Sequence, residues 1–291
     1  MVTAFDYATA FSRNIGWVTH GEQQRLRRCR VAIAGLGGVG GFHALTLARL
    51  GVGRFSLADP DRFAVENLNR QAGATMASAD RGKLEVVREQ VLAINPEADV
   101  RGLAEPVGGG NIARFLDGVD LYIDGLDFFA VEARQLVFAA CAERGIPAIT
   151  AAPLGMGVAF LAFLPGRMTF ERYFRLEGRP RDEQLLRFLV GLSPAMLQTR
   201  YLVEPAAVDL ANERGPSTVM GCELCAGVAG TEALKILLGR GTVRSAPWGL
   251  HFDAYRQRYV KTWRPGGNGN PLQRLILGLA RRRFMAARAG R

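Results

Sequence analysis

The stretch Arg30-Val31-Ala32-Ile33-Ala34-Gly35-Leu36-Gly37-Gly38-Val39-Gly40 decides the fold. Its first five residues are a short, mostly apolar run ending at glycine, the pattern of a strand buried on both faces. Gly35, Gly37 and Gly40 then satisfy G-x-G-x-x-G, and the spacing predicts a helix over roughly 38–50. Glycine lets the backbone turn tightly and approach a phosphate, while a helix N-terminus supplies free N–H groups and the positive end of its dipole. A second strand, 54–59, ends at Asp59, nineteen residues after Gly40, where a carboxylate accepts hydrogen bonds from a ribose. Strand, glycine loop, helix and acid in this order point to a bound nucleotide. The loop alone fits NAD as well as ATP.

Outward from this core the pattern alternates. Strands are expected over 98–103, 120–124 and 146–150, with helices over 80–94 and 131–144. Alternating strands and helices imply right-handed crossovers and a mainly parallel sheet. From Gly155 the rhythm changes. Residues 158–164 read as a longer antiparallel strand, followed after a helix over about 222–238 by two more strands near 248–252 and 258–263. The expected fold class is α/β: a Rossmann-like, mostly parallel sheet with helices on both faces, extended by antiparallel strands. Residues 1–29 form a helical lead-in and 30–264 the nucleotide-binding domain, which carries a variable helical insert over 165–215. A basic tail, 265–291, follows the linker Pro265-Gly266-Gly267-Asn268-Gly269-Asn270-Pro271.

Composition sets the class. With 291 residues, 48% hydrophobic and 22% charged, the chain is an ordinary globular one. No apolar run reaches the roughly 18 residues of a membrane span, and the N-terminus lacks the layout of a secretion signal. Cys29, Cys141, Cys222 and Cys225 are too few and too unevenly spaced for a disulfide scaffold. A cytoplasmic enzyme is the expectation. The net charge of +10 belongs to the end of the chain: no acidic residue follows Asp253, while ten basic ones do. Without those ten, 27 basic residues face 27 acidic ones. In the tail, Leu272, Leu275, Ile276 and Leu279 follow i, i+3, i+4, i+7 with arginines interleaved. Such a helix packs on its own domain, lies on an anionic membrane surface or docks on an acidic partner.

Polar residues gather beyond the strand ends, where α/β sheets bind ligands. Asp59-Pro60-Asp61 leads into Asn67-Leu68-Asn69-Arg70-Gln71; Arg81-Gly82-Lys83 opens a helix, and Asp124-Gly125-Leu126-Asp127 closes a strand. Two cations and a carboxylate around one cleft suit phosphoryl chemistry with a metal rather than hydride transfer. Asp127 fits equally as a cap of the following helix. Lysine occurs only at Lys83, Lys235 and Lys261 in an arginine-rich chain, so Lys83 draws notice where a compact ammonium would meet a phosphate.

On Gly35–Gly40, Asp59-x-Asp61, Asn67-x-Asn69-Arg70-Gln71, Gly82-Lys83, Asp124-x-x-Asp127 and Ala229-Gly230-Thr231-Glu232-Ala233-Leu234-Lys235, the sequence resembles the ThiF/MoeB/HesA family, bacterial relatives of ubiquitin-activating enzymes. The resemblance runs over roughly 11–164 and resumes near 216–263. It implies adenylation of a carboxylate by ATP with Mg²⁺, commonly the C-terminal carboxylate of a ubiquitin-like or sulfur-carrier protein. By that likeness Gly35, Gly37, Gly38, Gly40, Asp59, Asp61, Asn67, Arg70 and Lys83 hold ATP. Asp59 holds the ribose, Asn67 and Arg70 the phosphates, Lys83 the charge near the α-phosphate, and Asp127 the Mg²⁺. Arg13 reaches into a neighbouring subunit's site, which implies a homodimer. One branch of the family modifies a tRNA base, so a carboxylate carried by tRNA is a rival substrate, reached through the basic tail. A regulatory nucleotide-binding protein without turnover is the third reading.

The cysteines depart from the family pattern. Residues 142–221 contain none, where some members keep a catalytic cysteine. The single pair Cys222-Glu223-Leu224-Cys225 cannot close a four-ligand zinc site, and Cys29 and Cys141 read as small buried residues. The pair reads as packing, as a redox or sulfur-accepting thiol activated at a helix start, or as a zinc half-site shared across a dimer.

Overall fold

All five residues of Arg30–Ala34 (β1) are buried, as a strand covered on both faces requires. The computed structural model describes residues 4–209 and 212–289. The first three residues of the expected lead-in, 210–211 of the insert and 290–291 of the tail lie outside the described residues. Parallel to β1 run β2 (Arg54–Ala58), β3 (Asp99–Leu103), β4 (Leu121–Asp124) and β5 (Ala148–Pro153). Three strands, β6 (Gly157–Phe163), β7 (Trp248–Asp253) and β8 (Arg258–Trp263), extend the sheet in antiparallel pairing. The order across the sheet is β3-β2-β1-β4-β5-β6-β7-β8. The chain therefore reverses its direction of travel between β1 and β4, the point where open α/β sheets leave a crevice at their carboxyl ends.

Ten helices surround the sheet in the described residues: α1 (Tyr7–Ala10), α2 (His20–Arg28), α3 (Gly40–Arg49), α4 (Lys83–Ile94), α5 (Ile112–Phe115), α6 (Val131–Glu143), α7 (Phe170–Phe174), α8 (Arg181–Leu192), α9 (Val219–Leu238) and α10 (Pro271–Ala289). Side chains of β1 alternate between two cores. Val31 and Ile33 join Leu47 of α3, Val87 of α4 and Ala229 of α9. Ala32 and Ala34 join Phe138 of α6, Phe174 of α7 and Phe188 of α8 on the other face. The expected α/β class is what forms. Among the described residues no helix is long and apolar enough to cross a membrane.

Two regions add detail that the sequence left open. The segment 165–215 carries helices as expected and also fills core: Phe170, Tyr173, Phe174, Leu185 and Phe188 are buried in the second core. α7 spans only five residues, too few to show a clear period. The tail takes one of its three expected readings. Helix α10 does pack on its own domain, with Leu277 buried against Leu186 and Val190 of α8 and Gln273 Nε2 donating to the Val190 carbonyl at 2.8 Å. Of the expected apolar stripe only Ile276 packs on this cluster. Leu272, Leu275 and Leu279 remain 50%, 61% and 53% exposed.

Candidate active site

The link Gly35–Val39 joins β1 to α3. Gly35 has φ +81°, and a Cβ there would fall 2.3 Å from the Gly125 carbonyl oxygen. One on Gly40 would fall 1.8 Å from the Gly35 carbonyl oxygen. At these two positions glycine is required because backbones touch. Gly37 and Gly38 are different: an added Cβ would meet only Gln71 Nε2 at 3.5 Å and Cys222 Sγ at 3.4 Å, ordinary contacts. The fold tolerates a side chain there, so close approach of a ligand is the remaining reason for glycine. Among the described residues the N–H groups of Gly37, Gly38, Val39 and Gly40 donate to no protein acceptor. Four unpaired donors at one helix N-terminus form an anion cradle.

Asp59 is buried beside this loop. One carboxylate oxygen accepts from Leu36 N at 2.6 Å and the other from Asp61 N at 2.8 Å. Burial raises its carboxyl above the usual range, against the pull of those two N–H groups and of nearby Lys83. Each oxygen keeps a lone pair for a ribose hydroxyl. Lys83, only 8% exposed, stands at the start of α4. Its Nζ lies 3.1 Å from Asp61 Oδ2, and its backbone N–H donates to the Asp61 carbonyl at 2.9 Å.

The turn after β2 is held from within. Buried Asn67 accepts from Ala64 N through Oδ1 at 3.0 Å, which commits that oxygen to the turn. Arg70 donates to the Glu66 carbonyl and to Asn69 Oδ1, both at 2.9 Å, and pairs with no carboxylate among the described residues. Gln71, quoted in the motif without a role, is buried next to Gly37, and its Oε1 has no hydrogen-bond partner among the described residues. An unpaired amide oxygen against the glycine loop is a further group available to a nucleotide.

Asp127 lies two residues beyond Gly125, which packs on Gly35. Its Oδ1 accepts from Phe129 N at 2.9 Å, so it closes a local turn, while Ala130 takes the N-cap position of α6. Oδ2 has no described protein partner, and the side chain is exposed at the cleft mouth. One carboxylate together with nucleotide phosphates is a donor set that suits Mg²⁺. Among the described residues no three His, Cys, Asp or Glu side chains converge as a metal site. The turn itself is fixed by Arg134, which sequence reasoning missed. From α6 its Nε bonds Asp124 Oδ2 at 2.8 Å, and its Nη2 donates to the carbonyls of Leu126 at 2.7 Å and Asp127 at 3.0 Å. Arg134 and Asp124 are 2% and 3% exposed, so this is a buried pair. One arginine among many on a helix gives no sequence signal of that kind.

Helix α9 closes the cleft. Thr218 caps it by accepting from Gly221 N, and Asn69 Nδ2 donates to the Ser217 carbonyl at 3.2 Å, tying the cap to the Arg70 turn. Cys222 lies under Gly38, yet both Cys222 and Cys225 are fully buried. Burial pushes the Cys222 thiol up despite Ser217 and Arg70, and pushes Cys225 well up. Both thiols are packed in the interior, as are Cys29 and Cys141.

Arg13 is the expected site residue that does not join the others. Its one-turn segment Ser12–Asn14 is anchored by Asn14 Nδ2 and Gln23 Nε2 on the Leu50 carbonyl and by Tyr7 on the Gly51 carbonyl. That is the far end of α3 from the glycine loop, roughly 15 Å away at the helical rise. Its side chain is exposed at that end.

Unpaired N–H groups at the sheet's switch point, a buried carboxylate, two cations and an exposed carboxylate thus gather on one Rossmann-like fold. The chain belongs to the ThiF family, whose model matches residues 11–274. It is 35% identical over 143 residues to the sulfur carrier protein ThiS adenylyltransferase of Escherichia coli (strain K12), covering 49% of this chain and 56% of that protein. To the tRNA threonylcarbamoyladenosine dehydratase of Bacillus subtilis (strain 168) it is 34% identical over 141 residues, covering 48% and 55%. The chain thus spans a little over half the length of these relatives. The fold matches the crystal structure of E. coli MccB with ATP at a TM-score of 0.63 and 19% identity, over 90% of this chain and 71% of that one.

Proposed function

We propose that this protein is an ATP-dependent adenylyltransferase that activates the C-terminal carboxylate of a ubiquitin-like or sulfur-carrier protein. The observation that carries the reading is the row of unpaired N–H groups at Gly37–Gly40, flanked by Arg70, Lys83 and Asp127. Asp59 holds the ribose, and the N–H cradle with Asn67 and Arg70 holds the phosphates. A carboxylate oxygen of the acceptor attacks the α-phosphorus in line; the bond to the β-phosphate bridge breaks, and pyrophosphate leaves. No proton has to move. Catalysis is then positioning and charge stabilisation. Lys83, braced by Asp61, offsets charge near the α-phosphate, and Arg134 keeps Asp127 at the cleft mouth. Mg²⁺ bound by Asp127 would neutralise the leaving pyrophosphate. Arg13, remote from its own site, serves the site of a second copy in a homodimer.

ATP as the substrate supports the cytoplasm as the compartment, with residues 30–264 as the adenylation unit. A carboxylate borne by tRNA is the second reading, supported by the tRNA-acting relative and by the acid-free basic tail. ATP–pyrophosphate exchange, measured with candidate ubiquitin-like proteins and separately with total tRNA, tests both. Exchange with the protein acceptor is expected. Exchange with tRNA alone would transfer the reading to the second substrate, and ATP binding without either exchange would leave a regulatory nucleotide-binding protein.

A further inference from the structure

We propose that α10 docks this protein on an anionic lipid surface. The helix has two sides. Gln273 and Leu277 are 1% exposed against α8, and Ile276 and Ala280 pack beside them, so intramolecular packing is already satisfied. Leu272, Leu275 and Leu279 stand on a separate stripe, one turn apart, each at least half exposed. A water-facing row of leucines at that spacing is an apolar face without a partner.

Charge names the partner. Arg187 of α8 and Arg274 and Arg281 of α10 line an open cleft of about 510 Å³ that also includes Leu275. Glu183 pairs with Arg187 and Arg281 there, while Arg274 has no ion pair among the described residues. Arg282 is likewise exposed and unpaired among them. Residues 254–291 contain no acidic residue. Arginines flanking exposed leucines match the boundary between anionic headgroups and acyl chains, where apolar side chains enter and long cationic ones reach outward. RNA would pair with the arginines but would leave the leucines in water, so a lipid surface accounts for more of what the helix presents.

Co-sedimentation of the full chain with phosphatidylcholine vesicles, with and without phosphatidylglycerol, tests this. Binding is expected only to the anionic vesicles, and weakened at about 1 M salt, where the Debye length falls to about 3 Å. Leu272→Ser, Leu275→Ser and Leu279→Ser together should abolish it, and Arg274→Gln and Arg282→Gln should each weaken it about fivefold. All these side chains are exposed, so ATP binding serves as the control for folding. The proposal is overturned if the full chain ignores anionic vesicles or if the triple-serine variant binds them unchanged. It is also overturned if that variant shrinks on size exclusion, which would show the leucines buried against a second copy. Binding to total tRNA, unaffected by the serines and unaccompanied by vesicle binding, would assign the helix to nucleic acid instead.

Discussion

Lys83 shows how a single residue separates catalysis from stability. Its ammonium is nearly buried, yet its partner Asp61 keeps a side chain 66% exposed. Replacing Lys83 by Met therefore strands no charge in the interior, and Asp61 turns to water. The expected result is a melting temperature close to the parent's with ATP–pyrophosphate exchange reduced about 10²-fold, the scale of removing one preorganised donor. Lys83→Arg should not restore the rate, because a planar guanidinium cannot occupy the space of a compact ammonium. An exchange rate left intact in Lys83→Met would remove Lys83 from the chemistry. Sequence pattern pointed to this residue because lysine is rare here. It could not point to Arg134, whose role comes from burial against Asp124 and three turn carbonyls, a purely tertiary arrangement.

At the scale of the element, the glycine loop divides into two kinds of position that the motif writes identically. Gly40→Ala puts a methyl 1.8 Å from the Gly35 carbonyl oxygen, so loop or helix must shift. Gly37→Ala meets only the flexible end of Gln71. The expectation is that Gly40→Ala lowers the melting temperature and ATP affinity together, by about 1–3 kcal/mol in stability as in other overpacked sites. Gly37→Ala should keep the melting temperature while weakening ATP. Thermal melts with and without ATP decide this, and a Gly37→Ala protein that binds ATP normally would mean the phosphates lie elsewhere. Strands and helices around the loop were legible because each carries a clear period or a glycine stop. Helix α10 shows the limit of that approach. Four apolar residues at helical spacing identified the helix, but of these only Ile276 joins the contact that Leu277 and Gln273, outside the stripe, make, since α8 rather than periodicity selects the docked face.

For the whole molecule, buried histidines set the response to acid. His43 is enclosed, with both ring nitrogens unpartnered among the described residues, and desolvation depresses it to about 3. The folded chain therefore takes up its proton later than the unfolded chain does. Stability is full above the ordinary value near 6.5 and falls as pH drops from there toward about 3, at up to about 1.4 kcal/mol per pH unit. His251, also depressed by burial, adds in the same direction. Asp59 opposes them, because a raised carboxyl favours the folded form as it protonates. Urea unfolding at pH 7 and pH 5 should show the parent losing stability and His43→Leu losing less; parallel losses would deny His43 a buried neutral state.

The second whole-molecule consequence concerns assembly. The segment bearing Arg13 is pinned to the Leu50–Gly51 end of α3, while the cradle occupies the Gly40 end. No side-chain rotation spans the length of that helix, so an Arg13 that contributes to turnover must do so in another copy. Sequence resemblance supplied the residue, and the fold supplies the reason it cannot act at home. Arg13→Ala and Lys83→Met should each be nearly inactive alone. In a mixed dimer, one site has both defects and the other has native Lys83 from one chain and native Arg13 from its partner. Equal mixing with free subunit exchange should thus return about a quarter of the parent exchange rate, since half the dimers are mixed and each has one intact site. No recovery, under conditions where tagged subunits are seen to exchange, would show that Arg13 works within its own chain or not at all.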